Sequence, residues 1–389
     1  MNRILIANAD LFSSVAHWQP GWLLVEGRTI FALGPGQPPD FVPGSIAQFI
    51  DAQGRALLPG FIDLHVHGAM GYEAMDAALS GLQEMARFYA RHGVTAFLAT
   101  TWTASREAIQ AVLDMVRSLT GPVDRGARVL GVHLEGPYLN PARCGAQDTT
   151  YIRQALPDEF NEFLGSGVVR LIALAPEFPE NLQLLDECVR LGITTAAGHT
   201  MASFAEMQIA VQHGLRQATH CFNAMAGLDH RQPGTVGAAL SLPEIQCELI
   251  ADNIHVHPAV QKILVEVKGP QGVILITDAI RGAGLPDGEY TEAGRKVTIR
   301  DGAAHLANGT LAGSILTMNR ALQNVIHASG RSLAEAWPMS SLNAARAIGV
   351  AASKGSLEVG KDADLVLLED DFEVALTMVE GKFAWEKEI

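Results

Sequence analysis

Cys144, Cys188, Cys221 and Cys247 are the only cysteines in the 389 residues, and no two of them stand at CxxC spacing. Nothing in that scatter suggests a disulfide framework. Positive charge is also scarce: 28 Lys and Arg face 42 Asp and Glu, for a formal net charge of −14. Such a balance argues against a nucleic-acid or anionic-membrane partner. Any anionic substrate must then be met by a few locally placed cations. No uninterrupted apolar run is long enough to span a membrane. The opening MNRILIANADLF lacks the apolar stretch and cleavage site of a signal peptide. The expectation is a soluble, cytoplasmic protein.

Apolar residues make up 48% of the chain, enough for a sizeable core. The length suits a large core plus an accessory domain, since a (β/α)₈ barrel alone takes roughly 250 residues. Both ends are β-rich. Arg3–Ala7, Trp22–Val25 and Thr29–Leu33 read as strands, as do Asp364–Leu368 and Val374–Met378. Glu26-Gly27-Arg28 and Glu380-Gly381-Lys382 read as turns. Residues 1–54 and 351–389 are therefore expected to build one small β-sandwich domain together.

Between them, residues 55–350 alternate strand-like apolar runs with helical stretches, the pattern of a parallel α/β sheet. Eight strands are expected: Ala56–Leu64, Val94–Thr100, Val129–Leu134, Val168–Ala175, Ile193–Gly198, Gln217–Thr219, Gln246–Ala251 and Val273–Thr277. Helical spacing follows over Gly81–His92, Arg106–Leu119, Leu182–Leu191, Ser203–Gln212 and Ala259–Val267. Eight such units imply a closed, TIM-like (β/α)₈ barrel. The turn-rich stretch Gly282–Leu311 is expected to be a hairpin or loop inserted after the eighth strand.

Titratable residues recur at the C-terminal ends of these strands, which in such a barrel converge on the face that carries the active site. The first ends in Asp63-Leu64-His65-Val66-His67, the third in His133-Leu134-Glu135, the fifth in Gly198-His199, the sixth in Thr219-His220 and the eighth in Thr277-Asp278. His65 and His67 lie two apart, so both point to one side of a strand. Imidazole nitrogens suit zinc and related divalent metals. A lone HxH is more often an ordinary pair of polar residues, but the company of Glu135, His199 and His220 favours ligation. Glu135 sits on an apolar strand, where a carboxylate is costly to bury without a cation. Its two oxygens could serve one metal or bridge two. Asp278 would stand beside the metal, placed to accept a proton from an attacking water and return it to a leaving nitrogen. A helix N-cap is the plainer reading of an isolated aspartate. His133 is read as supporting or structural. His255 and His257 are read as rim or substrate contacts. The Gly-rich turns at His220–Met225 and Leu311–Ser314, with Arg231, could hold an anionic oxygen group, and the second is expected to open the last helix.

The segments PGFIDLHVHG, HLEGPYLNP, AAGHT, THCFNAM, ADNIHV, TDAIRGAGLPDG and LAGSILTM run in this order along nearly the whole chain. Taken together they resemble the amidohydrolase superfamily, and more closely the N-acetylglucosamine-6-phosphate deacetylases. The resemblance implies a (β/α)₈ barrel with a small β domain from both ends, usually in a homodimer. It implies removal of an acetyl group from an amino sugar phosphate, giving the free amine and acetate. By motif, Glu135, His199 and His220 match the primary metal site and Asp278 the catalytic acid/base. His65 and His67 match a second metal position that some members lack. The implied cofactor is a divalent metal, Zn²⁺ in the first instance, with Fe²⁺, Mn²⁺ or Co²⁺ as alternatives and one or two ions per subunit. Asn223, Ala224, Arg231 and His255 match sugar-phosphate contacts, and a phosphate contact can come from the neighbouring subunit. Gln147 stands where the family usually has a substrate-touching histidine, and Asn253 replaces a usual glycine. Galactosamine 6-phosphate or another N-acyl amino sugar is the alternative substrate. A catalytically dead sugar-phosphate sensor is the alternative of another class.

Overall fold

The computed structural model describes residues 3–41, 44–119, 122–292 and 294–387. Its centre is an eight-stranded, all-parallel sheet in sequential order. We number its strands β1 (Phe61–Val66), β2 (Val94–Thr101), β3 (Arg128–Glu135), β4 (Val169–Leu174), β5 (Thr194–Ala197), β6 (Gln217–Ala218), β7 (Gln246–Ile250) and β8 (Val273–Ile276). The helices between and after them include α1 (Leu79–Arg91), α2 (Arg106–Ser118), α3 (Pro157–Gly165), α4 (Pro179–Leu191), α5 (Phe204–Gln212), α6 (Gly234–Ser241), α7 (Pro258–Lys268) and, beyond β8, α8 (Met318–Ser329). Their starts are legible in the chemistry. Proline, whose missing N–H costs nothing in the first turn, opens α3, α4 and α7. Ser203 and Glu206 close a capping box on α5, and Ser105 caps α2. Gly192, in a left-handed conformation at φ 70°, ends α4.

The seam between β8 and β1 closes above their ladders rather than along them. Asp278 N donates to His65 O at 2.9 Å, His67 N donates to Ala279 O at 2.8 Å, and Val66 and Ala279 form an isolated parallel bridge. The buried Asp63 carboxylate reinforces the seam. It accepts from His65 N (3.2 Å), Thr277 N (3.3 Å) and Thr277 Oγ1 (2.6 Å). Burial pushes that carboxyl up to about 7, against the pull of those three donors.

A second, eight-stranded sheet draws on both chain ends, as the sequence implied. It wraps a core of its own that includes Ile4, Leu11, Leu23, Leu57, Leu365 and Met378. The expected single strand Ala56–Leu64 is two. Ala56–Pro59 pairs with Leu365–Leu368 in this terminal sheet, and only Phe61–Val66 belongs to the barrel. The chain crosses at Gly60, where a Cβ would lie 2.1 Å from the Thr95 side chain. The run LLPGFIDL reads as one strand because both halves are buried throughout. The insertion after β8 is a three-stranded antiparallel sheet, Gly288–Glu292, Arg295–Arg300 and Ala303–Leu306. The sequence reading missed α3 and α6. It also placed the start of the last helix too early: α8 begins at Met318 and is followed by Leu333–Ala336 and Leu342–Ala347. Among the described residues, no helix is long and apolar enough to cross a membrane.

Candidate metal centre and active site

The strand ends do converge. Two donor groups lie side by side at the C-terminal mouth of the barrel: His65, His67 and Asp278 in one, and Glu135, His199 and His220 in the other. Within each group the ligand-type atoms all fall within 4.8 Å of one another, and all six residues are buried. Glu135 touches both. Its Oε1 lies 3.0 Å from His199 Nε2 and from His220 Nε2, and its Oε2 lies 3.2 Å from His67 Nε2. Asp278 Oδ1 stands 3.3 Å from His67 Nε2 and 3.5 Å from His65 Nε2. It is no helix cap.

Backbone conformation aims these groups. His199, His220 and Asp278 have φ of 48°, 30° and 50°. Left-handed backbone is uncommon for residues with a Cβ and costs of order 1–3 kcal/mol each. Each residue comes two positions past the end of a short strand and turns its side chain inward instead of continuing the pleat. The neighbourhood is close-packed: a Cβ on Gly313 would meet Asp278 O at 2.8 Å, and one on Gly145 would meet His199 Cε1 at 3.3 Å.

The hydrogen bonding tests whether a cation fits. His199 Nδ1 lies 2.9 Å from Arg143 O, a carbonyl that can only accept. In the neutral ring that leaves a lone pair on Nε2, aimed at Glu135 Oε1 and at His220 Nε2 3.1 Å away. Facing lone pairs repel unless a proton or a metal ion lies between them. The same electrostatics appear in the titration behaviour. Burial opposes ionisation of Glu135, yet the His65 charge and the hydrogen bonds from His199 and His220 outweigh it and hold the carboxyl well below the usual range. Burial likewise opposes a charged His65, and Glu135 and Asp278 outweigh it, raising the imidazole well above its ordinary value. Burial and the neighbouring His65 keep His133 neutral, well below its ordinary value. A field that draws protons onto buried imidazoles also favours a divalent cation, and three imidazole or carboxylate donors per group suit one.

A cleft of about 460 Å³ opens onto this centre. His67, Glu135, Gln147, His199, His220, Asn223, Ala224, His255 and Asp278, all expected from the sequence, line it. Gln147 is 3% exposed and spans two partners: Oε1 accepts from Thr103 N at 2.7 Å, and Nε2 donates to Glu135 Oε2 at 2.6 Å. His255 Nδ1 pairs with Asp252 Oδ2 at 2.6 Å. Burial disfavours its charged form, but Asp252 outweighs burial and holds the imidazole above its ordinary value. His65 sits behind His67, out of the cleft lining. Arg231 is the outlier: it lies on an exposed loop, contacts His230, and does not line the cleft. His257 does not reach the cleft either, since its ring accepts from Ala259 N and caps α7.

Sequence reasoning passed over several contributors. Trp102 stacks on His67 at 3.8 Å and 12°. Gly309 and Thr310, from the turn after the inserted sheet, form part of the wall, beside Leu311 and Gly313 of the turn that the sequence did single out. Asp63 and Glu248 are fully buried carboxylates beside His65. An acid inside the apolar run QCELI was the available signal for Glu248.

The profile of the Amidohydrolase family matches residues 56–384. An N-acetylglucosamine-6-phosphate deacetylase of Bacillus subtilis is 40% identical over 334 residues, 85% of this chain and 84% of its own. An N-acetylgalactosamine-6-phosphate deacetylase of Escherichia coli O157:H7 is 38% identical over 94% of this chain and 96% of its own. The crystal structure of an N-acetylglucosamine-6-phosphate deacetylase from Pasteurella multocida superposes with a TM-score of 0.91 at 32% identity, covering 98% of this chain and 99% of that one. Sequence and fold together place this chain in the amidohydrolase family and, within it, among the N-acetylglucosamine-6-phosphate deacetylases.

Proposed function

We propose that this protein hydrolyses the acetamido group of N-acetylglucosamine 6-phosphate, giving glucosamine 6-phosphate and acetate. The observation that carries the reading is the position of Glu135, 3.0 Å from both His199 and His220, with Asp278 opposite it at the mouth of the same cleft. Glu135, His199 and His220 would hold one divalent ion, Zn²⁺ in the first instance, and His65 and His67 a second. Held there, such an ion supplies an acidified water, with a pKa of about 7 for zinc, and an electrophile for the acetyl oxygen.

The chain's own groups do the rest. Asp278 Oδ1 faces the centre as a carboxylate, because His65 and His67 outweigh the effect of burial and hold its carboxyl below the usual range. It takes a proton from the attacking water as the new C–O bond forms. It returns that proton to the nitrogen as the C–N bond breaks, since an amide anion is a very poor leaving group. Asn223, Ala224 and His255 line the path that the sugar phosphate would occupy, and the Asp252-paired His255 offers a cationic ring to an anion. Arg231, exposed and outside its own cleft, suits a phosphate contact made across a homodimer. We place the enzyme in the cytoplasm.

The test is acetate release from a panel: N-acetylglucosamine and N-acetylgalactosamine, each with and without the 6-phosphate, alongside metal analysis. N-acetylglucosamine 6-phosphate should turn over fastest. Faster turnover of the galactosamine ester would favour the epimer named for the E. coli relative. A metal-free chain that binds sugar phosphate and releases no acetate would favour a sensor.

A further inference from the structure

Glu248, in the middle of β7, has no exposed surface and no part in the reaction described above. A buried carboxylate is expensive unless its oxygens are matched to donors. Its Oε2 has two. His65 Nδ1 lies 3.4 Å away, and the backbone N–H of His220 donates to it from 3.3 Å. The main chain adds a third link, because Glu248 O accepts from Cys221 N at 2.8 Å.

These contacts reach both donor groups from beneath. A carboxylate can only accept, so the Nδ1 of a neutral His65 carries the proton and its Nε2 keeps a lone pair. That Nε2 faces His67 Nε2 at 3.3 Å and Asp278 Oδ1 at 3.5 Å. On the other side, Glu248 holds the N–H of His220 and, through Cys221, the residue after it. This is the stretch where the backbone turns to a φ of 30° and aims the His220 ring at Glu135.

We propose that Glu248 is a positioning residue for the divalent-cation site, fixing the tautomer and orientation of His65 and the backbone of His220. It acts through these ligands and touches neither ion nor substrate. Outer partners of this kind orient metal-binding imidazoles and raise their basicity, and their loss typically costs about 10–100-fold in metal affinity. The inference rests on the metal reading of the site proposed above.

The test uses the full-length chain with Zn²⁺ in competition dialysis against a chelator, and Co²⁺ as a spectroscopic probe. Glu248→Ala, Glu248→Gln and wild type are compared, with thermal unfolding of each metal-free chain as a check on folding. Wild type should bind two equivalents. Glu248→Ala should weaken the His65-containing equivalent about 10–100-fold and shift the Co²⁺ absorption bands. Glu248→Gln keeps an acceptor oxygen while losing the charge, so it should recover part of that loss, and it carries the test if the alanine variant does not fold. Wild-type affinity for both equivalents in Glu248→Ala, or in Glu248→Gln where only that variant folds, would overturn the role. So would a loss in Glu248→Ala that tracks an equal fall in metal-free stability and leaves the Co²⁺ bands unshifted, which would point to packing. A wild-type chain that binds no cation would overturn the metal reading, and this role with it.

Discussion

Gln147 donates from Nε2 to Glu135 Oε2 at 2.6 Å while its own Oε1 is held by Thr103 N. The side chain expected to touch substrate lines the cleft and also hydrogen-bonds the carboxylate that spans the two donor groups. Gln147→Ala should release Glu135 and leave the Thr103 N–H unpaired. A loss of about 10–100-fold in metal affinity or kcat/KM is expected, with about 1–3 kcal/mol of stability. Gln147→Glu should be worse for metal binding, because it sets a second carboxylate against Glu135. Chelator competition and steady-state kinetics decide this. A change confined to KM, with metal affinity intact, would return Gln147 to a pure substrate contact.

Asp278 makes the sharpest catalytic prediction. Asp278→Asn keeps an oxygen in place but cannot carry the proton, and positioned acid–base groups typically contribute about 10²–10⁴-fold. Turnover should fall by that factor while metal bound by Glu135, His199 and His220 is retained. Near-normal kcat in that variant, with metal content verified, would sink the assignment.

Lys354 sits in a cluster of carboxylates beside the terminal sheet. Its Nζ lies 2.7 Å from Asp364, 2.9 Å from Asp362 and 3.6 Å from Glu380, and the residue is 5% exposed. Arg128, at the start of β3, reaches the same Glu380 at 2.8 Å. Lys354→Met would strip Asp362 and the buried Asp364 of their nearest cation, a change that typically costs about 3–5 kcal/mol. Urea unfolding should show it as a lower midpoint. An unchanged midpoint would mean that Arg128 and Arg28 alone neutralise the cluster.

Acid should weaken the fold through His92. The ring is half-buried against Phe88, and burial, with Arg91 and Arg320 adding to it, lowers its pKa to about 4. The unfolded chain binds this proton near pH 6.5 and the folded chain does not. Stability tied to neutral His92 is thus present above pH 6.5 and lost as pH falls toward 4. After allowance for partial exposure the loss amounts to about 2 kcal/mol. Metal-free wild type and His92→Asn, unfolded in urea at pH 7.5 and 4.5, isolate it. Equal pH dependence in the two would falsify the assignment.

Much of this was legible in the chain because barrel geometry gives strand ends a meaning. Residues from 65 to 278 meet at one point only if their strands close a sheet, and a periodic pattern of eight βα units implies such closure. The seam was less legible. LLPGFIDL carries no mark of the crossing at Gly60, since both halves are buried and only the approach of Thr95 demands the glycine. The helix α6 is short, and its GTVGAALS carries small residues buried on nearly every side, so it lacks the amphipathic spacing that betrays α1 or α2.

The sequence by itself determined the donor set, His65, His67, Glu135, His199, His220 and Asp278, because imidazole and carboxylate at successive strand ends have few other uses. It also determined the parallel architecture and the kinship. Only the tertiary structure decided how those donors divide into two groups that Glu135 links, that Gln147 hydrogen-bonds Glu135 and Glu248 meets His65 and the His220 N–H, and that Arg231 stands clear of its own cleft. The physical reason is that residue type and strand position are local properties. Which lone pair faces which proton depends on the rotation of each side chain, and that is fixed by residues packed against it from distant parts of the chain.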